Sequence, residues 1–107
     1  SSAMGLFGTY KLTDYCATKF AIYGFTEALR NEIKINHSNK NIKISLICPF
    51  HVKTKLFNGF EFNALRWLSI SSSPIYTARM ILDGILLEKE MIGIPRFSFY
   101  MFALLKK

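Results

Sequence analysis

Tyr15 and Lys19 stand four residues apart in "DYCATKF", with Cys16, Ala17 and Thr18 between them. Positions i and i+4 share one face of a helix, so a phenol and an ammonium there could share a site. A free phenol gives up its proton near pH 10 and is a poor base at neutrality. A neighbouring positive charge favours its anion, and such a pair suits proton transfer at a hydroxyl or carbonyl oxygen. Ser2, thirteen residues before Tyr15, offers a second hydroxyl, and Pro49 with Thr54 follows an apolar run. Taken singly, each has a plain reading: a solvated helix pair, a strand-end serine, a turn threonine.

These groups can act together only if the surrounding elements converge. From Tyr15 to about Ile35, Ala17, Phe20, Ala21, Phe25, Ala28, Leu29 and Ile33 recur at helical spacing, with Glu27, Arg30, Glu32 and Lys34 on the other side. Thr13 or Asp14 can cap this helix, and Gly24, costly in mid-helix, points to a close helix–helix contact. The Gly- and Ser-punctuated segment before it reads as the end of a strand and a loop. "IKISLIC" (42–48) reads as a strand stopped by Pro49 and buried on both faces, as in a parallel sheet flanked by helices. Helix then strand is half of a βαβ unit, which predicts an α/β fold. Residues 50–73 are irregular, with a short helix around Phe62 to Leu68. "SSSP" caps a second helix over 74–89, whose apolar stripe is Ile75, Ala78, Ile81, Leu82, Ile85 and Leu86. "EMIGIP" (90–95) closes the pattern as a short strand, and no internal repeat is visible.

Composition narrows the function classes. The 107 residues are 50% hydrophobic and 15% aromatic, enough to build a core. The net charge of +7 is dispersed over loops and termini, without the stripe or module that nucleic-acid binding calls for. Solvated faces are its plain reading; an anionic membrane surface is the alternative, because the basic residues near the C-terminus sit beside aromatics. Cys16 and Cys48 have no CxxC spacing, so buried free thiols are expected rather than a disulfide scaffold or a zinc site. His37 and His51 have no partner at metal-ligand spacing, and no metal is expected. The tail "RFSFYMFALLKK" is shorter than the ~20 apolar residues that span a bilayer. It reads as a packing helix or an interfacial one.

Ser2, Tyr15-x-x-x-Lys19, and Pro49 after a buried strand with Thr54 downstream, in that order, resemble the short-chain dehydrogenase/reductase family across essentially the whole chain. The resemblance implies the C-terminal half of one Rossmann-type, doubly wound parallel sheet, with residues 1–107 belonging to a single dehydrogenase domain. It implies an NAD- or NADP-dependent interconversion of alcohol and carbonyl by hydride transfer. Tyr15 is then the acid/base, and Lys19 supplies positive charge and holds the nicotinamide ribose. Ser2, favoured over Ser1 by its spacing, binds the substrate oxygen. "PFHVKT" resembles the segment that closes over the nicotinamide: Pro49 shapes the turn, the Val52 backbone meets the carboxamide and Thr54 bonds the cofactor. Phe50 departs from the pattern, where glycine is commoner.

"GLFGTYKLTDYCATKFAIYGFTEALRNEI" and "ILLEKEMIGIPRFSFYMF" resemble the membrane-associated branch that includes epidermal retinal dehydrogenases and lipid-droplet 17-beta-hydroxysteroid dehydrogenases. That implies a lipophilic retinoid or steroid substrate, a cytosol-facing place on the endoplasmic reticulum membrane or lipid droplets, and a homodimer through helix 15–35. A lid over 55–73 supplies Leu56, Phe57 and Phe60 to the substrate. The family's Gly-rich phosphate turn, its cofactor-selecting residue and its active-site asparagine have no counterpart in these residues. If they lie upstream the enzyme reading stands; the chain by itself is expected to bind dinucleotide poorly and to be inactive. The alternatives are a non-catalytic family member acting at a membrane or lipid droplet, and an unrelated small helical binding protein.

Overall fold

The computed structural model describes residues 1–36, 41–52 and 71–96. The chain runs through a 3₁₀ turn (Ala3–Gly5), helix α1 (Thr13–Asn36), strands β1 (Leu46–Pro49), β2 (His51–Val52) and β3 (Ser71–Ser72), helix α2 (Pro74–Leu86) and strand β4 (Met91–Ile94). β1 and β4 pair in parallel, from Leu46 opposite Met91 to Pro49 opposite Ile94. Parallel neighbours require a crossover, and α2 lies on that crossover and packs on β4. The Phe50 N–H donates to Ile94 O at 2.8 Å, carrying the ladder one residue past β1. The chain then bends into β2, which pairs in parallel with β3. A mixed helix-and-strand fragment with parallel pairing is what the sequence pattern anticipates, and it is consistent with the Rossmann-type sheet that the resemblance implies.

Several boundaries move, for physical reasons. The strand expected over 42–48 begins only at Leu46 and includes Pro49. Its partner β4 cannot start earlier, because Glu88 and Lys89 are engaged in closing α2: their N–H groups donate to Ile85 O and Gly84 O. That closure also ends α2 at Leu86 rather than at residue 89. Ser73 caps the helix as expected, its hydroxyl accepting from the Tyr76 N–H, with Pro74 in the first turn. In place of a strand end, the first residues form a 3₁₀ turn entered from extended Ser2. The 62–68 helix, most of the 55–73 lid, His37 and the aromatic tail from residue 97 lie outside the described residues.

Burial corrects the reading of β1 and shows which way the two helical stripes face. β1 alternates, with Leu46 and Cys48 buried and Ile47 and Pro49 half-buried, instead of being buried on both faces. Among the described residues the core comprises these two with Ala3, Cys16, Ile92 and Ile94. On α1 the buried residues are Cys16 and Thr26, while Ala17, Phe20, Ala21, Phe25 and Ala28 are exposed and Leu29 and Ile33 half-buried. The apolar stripe therefore faces away from the packed side. Gly24 makes no close contact among the described residues, since a Cβ there would meet nothing within 4 Å. α2 likewise turns Ile75, Leu82, Ile85 and Leu86 outward and buries Thr77 and Gly84. The missing Gly84 side chain is what admits Ile92: a Cβ there would overlap its Cδ1 and stand 2.7 Å from its Cγ1.

Candidate active site

The first turns of α1 carry the phenol and the ammonium. The helix opens with the Cys16 N–H on Leu12 O at 2.8 Å. Asp14 accepts from the Tyr15 N–H at 2.8 Å, placing a carboxylate where free N–H groups and the helix dipole favour one. Lys19 then extends back along the helix, as side chains on a helix do. Its Nζ lies over the Tyr15 ring, 5.1 Å from the centroid, a cation–π arrangement. A cation over the ring face is attracted more strongly once the ring carries negative charge. Both side chains are half-buried, which leaves a way in for a ligand.

The N-terminal turn fastens this helix to the end of β1. Ser1 Oγ donates to Lys19 O at 2.9 Å. Ser2 is buried; its Oγ accepts from the Met4 N–H at 3.2 Å and donates to Pro49 O at 3.3 Å. Gly5 permits the approach, because a Cβ there would stand 2.6 Å from Lys19 O and would overlap Ser1 Oγ. One turn thus joins Lys19 on α1 to Pro49 at the carboxyl end of a parallel strand, the edge where open α/β sheets bind their ligands. The Ser2 proton is held by a long and therefore weak bond, so it is available to a better acceptor.

Of the residues singled out in the sequence, Tyr15, Lys19, Ser2 and Pro49 are linked by these contacts. Val52 follows in β2, half-buried. Thr54, Leu56, Phe57 and Phe60 lie outside the described residues. A second phenol on α1, Tyr23, has a carboxylate rather than an ammonium one turn away. Tyr23 donates to the Glu27 carboxylate at 3.2 Å, and desolvation, this hydrogen bond and the carboxylate's charge together push its pKa up. Desolvation first and the carboxylate next favour the neutral Tyr23 phenol, so a lysine or a glutamate four residues on distinguishes the two tyrosines of one helix. The docking roles of Ser1 and Gly5 went unread in the sequence. Their signal was the crowding of "SSAMG", two hydroxyls and a glycine within five residues.

Comparison with known proteins adds an independent line. The family model described as short chain dehydrogenase matches residues 1–63, which include the serine turn and all of α1. The chain is 40% identical over 98 residues to the short-chain dehydrogenase/reductase family 16C member 6 of Bos taurus, covering 92% of this chain and 30% of that protein. It is 38% identical over 104 residues to epidermal retinol dehydrogenase 2 of Homo sapiens, covering 97% of this chain and 33% of that protein. With retinol dehydrogenase 10 of Homo sapiens it shares 34% over 100 residues, 92% of this chain and 29% of that protein. The chain spans about a third of the length of these curated relatives.

Proposed function

The chain belongs to the short-chain dehydrogenase family, and from that premise we propose that it is part of an oxidoreductase interconverting a lipophilic alcohol and its carbonyl. The observation that carries the proposal is the Lys19 ammonium 5.1 Å from the Tyr15 ring centroid, on a helix tied to the carboxyl end of β1 through Ser1 and Ser2. In the oxidising direction the Tyr15 phenolate oxygen takes the proton of the substrate hydroxyl. In the reducing direction the phenol returns it. Lys19 stabilises the anionic phenolate by its charge. Ser2 Oγ–H turns from Pro49 O to the substrate oxygen and steadies the charge that develops there.

A nicotinamide dinucleotide, NAD or NADP, is the cofactor of this reading, and when bound it supplies the hydride acceptor or donor. The donor set fits its polar groups. The half-buried Lys19 ammonium carries three N–H donors for ribose hydroxyls, the Val52 backbone follows the bend after Pro49, and Thr54 is assigned as a further hydrogen-bonding partner. The relatives named for a substrate are named for retinol, so we assign a long apolar alcohol of that kind, with Leu56, Phe57 and Phe60 on its path. The proposal extends to residues 1–107 as the C-terminal part of one dehydrogenase domain. It also extends to a homodimer through α1, for which the exposed Phe20, Ile22 and Phe25 supply apolar surface, and to work at a membrane or lipid-droplet surface. Among the described residues no helix is long and apolar enough to cross a membrane.

The test is Tyr15→Phe in the full-length protein, assayed with retinol and each dinucleotide. The expected outcome is a loss of turnover of at least about a thousandfold, at the upper part of the range for removing an acid/base group, with circular dichroism and melting temperature unchanged. Turnover at the wild-type rate would overturn the assignment of Tyr15.

A further inference from the structure

Helix α1 carries the proposed acid/base pair near its start, and a rod is oriented only when it is held at more than one point. The first hold is the Lys19 turn, gripped by Ser1 and crowded by Gly5. The second lies eleven residues further on, at Arg30. Arg30 Nη2 donates to Ile44 O at 3.4 Å and to Glu90 O. Glu90 immediately precedes β4, and Ile44 lies two residues before β1. Glu90 O also accepts the Leu46 N–H at 2.9 Å, the contact with which the parallel pair begins. One guanidinium therefore meets the entry edge of both strands. The Tyr15–Lys19 end of the same helix meets their exit edge through the serine turn.

We propose that Arg30 is a positioning residue for the Tyr15–Lys19 pair, fixing the rotation of α1 about its own axis against the β1–β4 sheet; this rests on the acid/base reading given above. At 3.6 residues per turn Arg30 lies only about 20° around the helix from Lys19, so both holds act on the sheet-facing side. The outer atoms of a helix stand about 6 Å from its axis, so a 10° rotation displaces them by about 1 Å. A misplacement of that size can cost about a hundredfold in rate. Nothing else in the described part of α1 donates a side-chain hydrogen bond to either strand's entry segment. The Arg30 Nε is buried and finds no acceptor among the described residues, so the Nη2 contacts are what hold the group. A lysine carries a compact ammonium in place of the planar fork and would not reproduce both contacts.

The test uses the full-length protein and its Arg30→Lys and Arg30→Gln variants, with Tyr15→Phe as the reference for the acid/base reading. Two readouts are combined. One is the split between kcat and the KM for the dinucleotide. The other is the rate at which Cys16 and Cys48 are alkylated by N-ethylmaleimide, followed by peptide mass spectrometry. Cys16 adjoins Tyr15 on α1 and Cys48 sits in β1; both are free and buried. Rotation of the helix uncovers Cys16 alone, whereas general unfolding uncovers both. The expected result is a kcat reduced about tenfold or more, a KM changed less than twofold, and faster labelling of Cys16 with Cys48 unchanged. Wild-type kcat with unchanged Cys16 labelling would overturn the proposal, as would a parallel rise at both cysteines with kcat per folded molecule intact. Full turnover in Tyr15→Phe would defeat the acid/base reading and the catalytic consequence of Arg30, while the Cys16 rate would still decide whether Arg30 orients the helix. If Arg30→Lys does not fold, Arg30→Gln, which keeps one donor group, serves for the same comparison.

Discussion

Gly5 has no side chain at the point where the Ala3–Gly5 turn meets α1, and the Lys19 carbonyl lies within 2.6 Å of the place a Cβ would take. That neighbour is backbone inside a helix and cannot yield as a side chain would. Gly5→Ala is expected to push the turn off the helix, at about 1–3 kcal/mol of stability. It would also carry Ser2 away from Pro49 and lower kcat. Melting temperature and single-turnover rate measure the two effects separately. Ser1→Ala, by contrast, loses only a hydroxyl-to-carbonyl bond, worth about 1 kcal/mol, and keeps the turn in place. At this scale, the sequence was informative where chemistry and spacing are local. Four residues on a helix bring Tyr15 to Lys19 whatever else the chain does, and the two are found in contact. The Ser1–Lys19 and Ser2–Pro49 bonds join residues 18 and 47 positions apart. No periodicity encodes such contacts, which is why Ser1 read as a mere rival to Ser2 and Gly5 went unremarked.

Among the elements, α2 stops on an unfavourable residue. Glu88 adopts φ of 54°, the left-handed conformation in which a side chain costs about 1–2 kcal/mol and which glycine adopts freely. Its compensation is an ion pair with Lys43 at 3.6 Å, with both side chains more than half exposed. Exposed pairs contribute little, so backbone relief should win. Glu88→Gly is expected to stabilise the fold by up to about 1 kcal/mol, read as a higher urea midpoint with unchanged slope. Glu88→Ala removes the ion pair while keeping the left-handed cost, and should leave stability unchanged or slightly lower. A stabilising Ala variant would mean that the pair, not the backbone, is the unfavourable feature. The element types were legible because Ser73-Pro74 and the apolar period mark a helix by local rules. Its end was not, because "LLEKEM" contains no glycine to announce a stop. The chain there is turned by the demand that Glu90 reach β1, a tertiary requirement.

Among the described residues, much apolar surface is turned outward: Phe25, Ile75 and Leu86 are 68%, 77% and 71% exposed. Amphipathic spacing reveals that a helix has an apolar stripe, but not which neighbour covers it. Among the described residues the buried centre lies on the parallel pair, where Cys48 and Ile94 are each only 1% exposed. Cys48 therefore links one titration to the stability of the entire fold. Burial pushes its thiol pKa above the ordinary value. Because burial disfavours the thiolate, the folded state retains its proton to higher pH than the unfolded chain does. The stability associated with the neutral thiol is complete below the unfolded-chain value of 9.0. It declines above that value and is lost as pH rises through the higher folded value. Urea midpoints of the wild type should accordingly fall between pH 8 and pH 10.5 more steeply than those of Cys48→Ala. The variant starts lower at pH 8 because of the cavity it leaves. Tyr23, also pushed up from an ordinary value of 10.0, is present in both proteins and cancels in the comparison. Parallel pH profiles would mean that Cys48 is not held protonated by the fold. Convergence of the two curves toward high pH is the outcome its burial requires.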